Sequence, residues 1–372
     1  MIDAADRPIR RIMSFDGGPV SLINVRVLAH VARHLEERHG RDLLSEVDLF
    51  AGVSCGAFAA LFLASKIGSG RSSVDLLEEC SEMLDEFMRG TRAPIFNQLR
   101  FLSGMGPLDT SENTAGVLTD YIGAGRLGDL RTRVLAASFN IETWKPKLFV
   151  NFGGGPARHD DERRIVDVAL ASSSYPMLVN THYMPPVHDD GVHGQYVDGA
   201  VMVNNPTMLA ITEALASRGL AGSDEDGNWR NLPSLRVLSL GATVKRKMSP
   251  TLDGDPRLPR TPQELLDFAP NKNLLWGWFQ WMLSHRNLFT NLSLQAPTGQ
   301  VDTECRHLLG VRRFRRFAPS VNEIFAAAQA FFSNPQDLVD ESHEVAEELV
   351  HPPSPDVVLM TDWLATRWIE TE

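Results

Sequence analysis

An apolar stretch, Val47–Val53, runs directly into Gly52-Val53-Ser54-Cys55-Gly56. From there the chain passes, with no polar spacer, into a second apolar run, Ala57–Ile67. Consecutive apolar positions do not suit a strand with one wet face. They suit a strand buried on both faces, as in a parallel sheet covered by helices. The glycines permit a sharp, crowded turn between strand and helix. Such a turn lifts the serine hydroxyl off the strand end and sets it beside the positive N-terminus of the helix. This context points to a nucleophile; the competing reading is a plain turn with a buried serine. Cys55 is a rival by residue type, but the position after the elbow points into the scaffold, where a thiol is a small buried hydrophobe.

The pattern recurs along the chain. Ile9–Phe15, Val134–Phe139, Leu148–Phe152 and Leu235–Leu240 read as further strands, with helices at Leu22–Arg38 and Asp75–Met88. Alternation of this kind predicts an α/β fold around a mostly parallel sheet. Asn204 or Asn205 followed by Pro206 predicts a helix start. Gly222–Asn231 and Ser249–Pro262 read as surface loops. Beyond them, Gln263–His285, a Ser320-x-x-Glu323 capping box opening Val321–Phe332, and Thr361–Ile369 read as helices. No linker separates the parts. Residues 246–372 are therefore expected to form a mainly helical extension packed on the same domain as a core over 9–245.

Charge narrows the function classes. Of 372 residues, 36 are Lys or Arg and 47 are Asp or Glu, a net charge of −11. Nucleic-acid binding needs a basic face, so no nucleic-acid partner is expected. The same balance gives no long-range pull toward anionic membranes, while leaving room for transient contact with a membrane or micelle. Cys55, Cys80 and Cys305 cannot pair completely and lack zinc spacing, so they are expected as reduced thiols. The polar start MIDAADRPIRR lacks a signal-peptide core, and no run of eighteen apolar residues occurs. A cytoplasmic address is the expectation.

Two more segments carry chemistry. In Ser14-Phe15-Asp16-Gly17-Gly18-Pro19-Val20, paired glycines before a helix turn backbone N–H groups toward an anion, either a phosphate or a developing oxyanion. The second half is no dinucleotide fingerprint. In Tyr196-Val197-Asp198-Gly199-Ala200, a carboxylate at a strand end can hold or deprotonate a serine. An isolated Asp-Gly would read more simply as a turn.

Together these segments resemble the patatin-like phospholipase family, whose members use a Ser–Asp dyad. The resemblance rests on Gly52-Val53-Ser54-Cys55-Gly56, Asp198-Gly199-Ala200 and Asp16-Gly17-Gly18. Ala169–Pro176, Asn204-Asn205-Pro206-Thr207 and Leu238-Ser239-Leu240-Gly241 follow in matching order. It implies a three-layer fold, Ser54 as nucleophile, Asp198 as base, Gly17 and Gly18 as oxyanion donors, and no cofactor or metal. Pro19, Ser21 and Leu22 stand where the family's loop usually has Gly, Arg or Lys, and Gly. Proline has no N–H, so one candidate donor is missing, and the loop's cation is absent. This departure favours acyl-ester or thioester substrates over common phospholipids.

The implied activity is hydrolysis of lipid or other acyl esters through an acyl-enzyme. The rivals are a biosynthetic acyltransferase on the same dyad and an acyl-chain-binding pseudoenzyme. His182, His188 and His193, with Asp189 and Asp190, have irregular spacing and read as a solvated loop near the site mouth rather than a metal centre. Leu274–Leu283, with three tryptophans, reads as a buried helix or an acyl-binding wall. Arg312-Arg313-x-Arg315-Arg316 reads as a solvated basic surface.

Overall fold

Strand alternation sorts the core into two layers. In the computed structural model, residues 9–91, 97, 107, 111–153, 160–176, 178–187, 194–217, 234–244, 288–321 and 335–370 are described. Their elements run β1 (Arg11–Phe15), α1 (Val20–His39), β2 (Leu49–Val53), α2 (Cys55–Lys66), α3 (Ser73–Gly90) and α4 (Glu112–Ile122). Then come β3 (Arg133–Asn140), β4 (Lys145–Val150), α5 (Ile165–Ser173), β5 (His182–Met184), β6 (Gly194–Asp198), α6 (Thr207–Ala216), β7 (Arg236–Leu240) and β8 (Thr243–Val244). The chain ends with α7 (Leu288–Arg313), β9 (Phe314–Phe317), β10 (Ser320–Val321), α8 (Pro335–Val350) and α9 (Pro355–Thr366).

Met13, Phe15, Phe50, Val134 and Ala136 face one helical layer, which includes α1, α2 and α3. Their neighbours Ile12, Leu49, Ala51, Leu135 and Ala137 face the other, with α6 and α7. The result is a three-layer α/β fold. Helix α2 is buried from Cys55 to Ala64, as a helix apolar on every side must be. β1 pairs in parallel with β2 and β7, β2 with β3, and β7 with β9. Antiparallel strands β4, β6 and β5 complete this sheet.

One junction in the sheet matters for the site. β3 pairs with β2 along Arg133–Ala137 and with β6 along Ser138–Asn140. β4 pairs with Leu135–Asn140 and so overlaps both. A strand has only two edges, so β2 and β6 share the edge opposite β4 and meet there end to end.

The C-terminal third contributes strand as well as helix. Ser320 and Val321 lie in β10, paired in parallel with β8, so the expected helix does not start at Ser320. Val321 is buried, and pairing with β8 outweighs the local capping signal. Arg315 and Arg316 lie in β9, at the sheet edge beside β7, rather than on a solvated basic surface. Helix α9 begins six residues before the expected Thr361, with the Ser354 side chain capping the Val357 N–H and Pro355 in its first turn. The fully buried Trp368 follows, and its carbonyl accepts from Arg11 Nε at 3.0 Å. Among the described residues, no helix is long and apolar enough to cross a membrane. The expected loops Gly222–Asn231 and Ser249–Pro262, the helix Gln263–His285, and Leu274–Leu283 lie outside the described residues.

Candidate active site

Ser54 occupies the turn between β2 and α2 with φ 53° and ψ −129°. A non-glycine residue in this region is under steric strain. The crowding explains both flanking glycines. A methyl group on Gly52 would lie 2.3 Å from the Gly56 carbonyl oxygen, and one on Gly56 would lie 2.4 Å from that of Phe15. The Ser54 N–H is held in place, donating to the Ser172 carbonyl at 3.1 Å and to Ser172 Oγ at 3.2 Å.

Asp198 ends β6 opposite Ser138, one residue beyond the Val53–Ala137 pair that ends β2. The meeting of those strands brings Asp198 and Ser54 together. A methyl group on Gly199 would lie 2.3 Å from the Ala137 carbonyl oxygen and 2.9 Å from Val53, so only glycine permits the approach. The Asp198 N–H donates to the Ser174 carbonyl at 2.9 Å. The end of α5 therefore ties down both residues, Ser54 through Ser172 and Asp198 through Ser174. In the sequence this segment, within Ala169–Pro176, stood out only through the family resemblance.

Asp198 is fully buried. Oδ1 accepts the Ala200 N–H at 2.8 Å, whereas Oδ2 has no formed hydrogen bond. Burial pushes the carboxyl up to about 7, against the lowering influence of the Ala200 N–H and the nearby Ser54 hydroxyl. A carboxylate at its ordinary value would be a poor base for a hydroxyl, and one raised toward neutral pH accepts a proton more readily. Tyr175 is also near, its phenol raised to about 12 by burial and the Asp198 charge. Cys55 is buried and its thiol is pushed up to about 12, chiefly by burial, which suits an inert thiol.

The glycine turn is arranged differently from the simple expectation. Gly17 lies against the site, since a methyl group on it would come within 3.3 Å of Ser54 Cβ. Yet its N–H already donates to the Asn204 carbonyl at 3.0 Å, so the expected oxyanion donor at Gly17 is engaged. Gly18 adopts φ 99°, a left-handed backbone that favours glycine, in the turn before α1. Pro19 has φ −65° and ψ −12°, a conformation natural to proline. The N-cap of α6 is Pro206 rather than Asn204 or Asn205, and Asn205 Oδ1 accepts the Thr207 N–H at 3.1 Å just before it.

Of the expected basic surface, Arg312 is exposed, whereas Arg316 requires a correction. Arg316 is buried beside Asp16, with Nη1 3.2 Å from Oδ1 and Nη2 2.5 Å from Oδ2. Nη1 also donates to Ser239 Oγ at 2.7 Å. Burial pushes the Asp16 carboxyl above its ordinary value, while Arg316 pulls it down. His182 lies on β5 with Nε2 3.6 Å from Asp167 Oδ1. His188, His193, Asp189 and Asp190 lie outside the described residues. Among the described residues, no group of three His, Cys, Asp or Glu side chains could hold a metal ion.

Residues 13–211 match the family model described as Patatin-like phospholipase. The chain belongs to the patatin-like phospholipase family. Similar proteins include a cGAMP-activated phospholipase of Vibrio cholerae serotype O1, 27% identical over 237 residues. That match covers 62% of this chain and 64% of the other. Patatin-like protein 1 of Arabidopsis thaliana is 27% identical over 253 residues, covering 63% of this chain and 59% of the other. The chain thus spans less than two thirds of the length of these two relatives.

Proposed function

We propose that this protein is a serine acyl hydrolase acting on lipid or other acyl esters, with Ser54 as nucleophile and Asp198 as its base. The observation that carries the reading is the strained serine turn of β2 meeting, end to end, a buried carboxyl whose pKa is raised to about 7. In this scheme Ser54 Oγ attacks the ester carbonyl and its proton passes to Asp198 Oδ2. The tetrahedral intermediate collapses, and the leaving alcohol takes that proton. Water, deprotonated by Asp198, then resolves the acyl-enzyme. No metal or cofactor enters these steps. Residues 9–245 and 246–372 act as one domain in this reading, since β9 belongs to the main sheet. Lipid substrate implies transient contact with a membrane or micelle.

Incubation with a fluorophosphonate followed by peptide mass spectrometry tests the nucleophile. An adduct on Ser54 is expected; an active enzyme left unmodified there would overturn the assignment.

The oxyanion donors in this scheme are the Gly18 N–H and the N–H groups that open α2 at Cys55. Gly17 is engaged by Asn204, and the backbone at Pro19 already suits proline. Pro19→Gly is therefore expected to change kcat by less than about tenfold, where loss of a working donor costs about 10²–10³. A hundredfold gain on simple esters would show that the native hole is deficient.

A further inference from the structure

We infer that Arg316 is a positioning residue for the oxyanion turn: carried on β9, it holds Asp16 and so fixes where the Gly18 N–H stands relative to Ser54. The inference rests on the Ser54–Asp198 reading and extends it to a residue 300 positions from Asp16 in sequence.

The turn at Asp16–Gly18 is held on several sides. The Asp16 N–H donates to the Leu240 carbonyl at 2.9 Å, and the Gly17 N–H to the Asn204 carbonyl at 3.0 Å. Ser21 Oγ donates to the Asp16 carbonyl at 3.2 Å. Gly56, in the first turn of α2, packs so close that a methyl group would lie 2.5 Å from that same carbonyl oxygen. These ties reach the main chain alone; the buried Asp16 carboxylate, the side chain of the same turn, is held by Arg316.

The guanidinium supplies what the turn lacks. Its planar fork meets both carboxylate oxygens and still reaches Ser239 Oγ, a geometry a lysine ammonium does not reproduce. Position 21 offers no cation, so Asp16 receives its partner from the C-terminal third. Gly241 shows how tightly the pair is seated. A methyl group there would lie 2.1 Å from Asp16 Oδ2 and 2.3 Å from Arg316 Nη2. The Gly241 N–H in turn donates to the Phe317 carbonyl at 2.9 Å, so backbone and ion pair lock β9 to the turn together. Burying two charges is a poor way to gain stability, and geometric specificity is the better-attested use of such a pair.

Four proteins test this: wild type, Arg316→Met, Arg316→Lys and the double variant Asp16→Asn/Arg316→Met. Arg316→Met is expected to lower kcat on a soluble ester by about 10²-fold, the scale of one misplaced oxyanion donor, with KM within about threefold. Fluorophosphonate labelling of Ser54 should slow by a similar factor. Arg316→Lys should restore only part of the rate. The double variant, with no unpaired charge, should regain the melting temperature lost in Arg316→Met while remaining slow. Recovery of wild-type kcat in the double variant would overturn the inference, because Arg316 would then merely neutralise Asp16. So would a wild-type labelling rate in folded Arg316→Met, or in Arg316→Lys should the methionine variant not fold. Failure of wild type itself to label at Ser54 would instead strike the underlying nucleophile reading. Amide hydrogen exchange at Gly17 and Gly18 then decides the positioning role alone: faster exchange in the variants supports it, and unchanged protection overturns it.

Discussion

Ser54→Ala and Asp198→Asn should each lower acyl-ester hydrolysis by at least about 10³-fold, and the double variant should be no slower than the worse single one. In the proposed scheme the two side chains serve one proton transfer, so removing either leaves the other without a task. The Ser54 main chain is held by Ser172 and that of Asp198 by Ser174, so neither substitution removes a backbone tie. Both variants should therefore fold. Measuring kcat for the four proteins on one soluble ester completes the cycle. Multiplicative losses in the double variant would show that Ser54 and Asp198 act independently, and the dyad would be wrong. The wild-type pH profile offers a second check. A base must be ionised to accept the serine proton, so kcat/KM should rise with pH and reach half its plateau near 7.

Asp198→Asn should also make the protein more stable at pH 8 while leaving it nearly unchanged at pH 4. The folded carboxyl titrates at about 7, against an ordinary value of 3.8. Below pH 4 it is protonated in both folded and unfolded chains, and burial carries no ionic penalty. As pH rises toward 7 the unfolded chain releases this proton and the folded one retains it, so stability falls across that window and levels off above it. The asparagine keeps an oxygen for the Ala200 N–H and has no charge to desolvate. The gain at pH 8 is bounded at about 4 kcal/mol, from three pKa units. Urea unfolding of both proteins at pH 4 and pH 8 measures it. An equal difference at the two pH values would mean that Asp198 is not the buried, raised carboxyl described here. In the proposed scheme one group both weakens the fold and serves the reaction, a trade between stability and activity.

Much of this molecule follows from short-range rules. Gly52 and Gly56 around Ser54, with an apolar run on each side, already specify a strand, a cramped turn and a buried helix. Steric exclusion at those glycines involves neighbours a few residues apart or on the next strand. Apolar runs likewise located β1, β2, β3 and β7, because a buried parallel strand has no polar face to disguise it. Asp198-Gly199 had meaning only beside the other motifs. What brings it beside Ser54 is the end-to-end meeting of β2 and β6, a property of sheet register. Its raised pKa has the same origin, since burial is the sum of everything packed around the group.

Arg316 shows the limit most plainly. Within a run of arginines it carries every local mark of a solvated residue. It is buried because β9 pairs with β7 and places its guanidinium over Asp16. Ser320 began a good capping box and became a strand for a similar reason, as β8 offered backbone partners that a helix start could not match. The Gly17 N–H was spent on the Asn204 carbonyl, a contact between residues 187 positions apart. Residue type and spacing determined the kind of chemistry this chain can carry. Long-range pairing decided which groups remain free to perform it, because a donor or charge is available only where the folded chain has not already satisfied it.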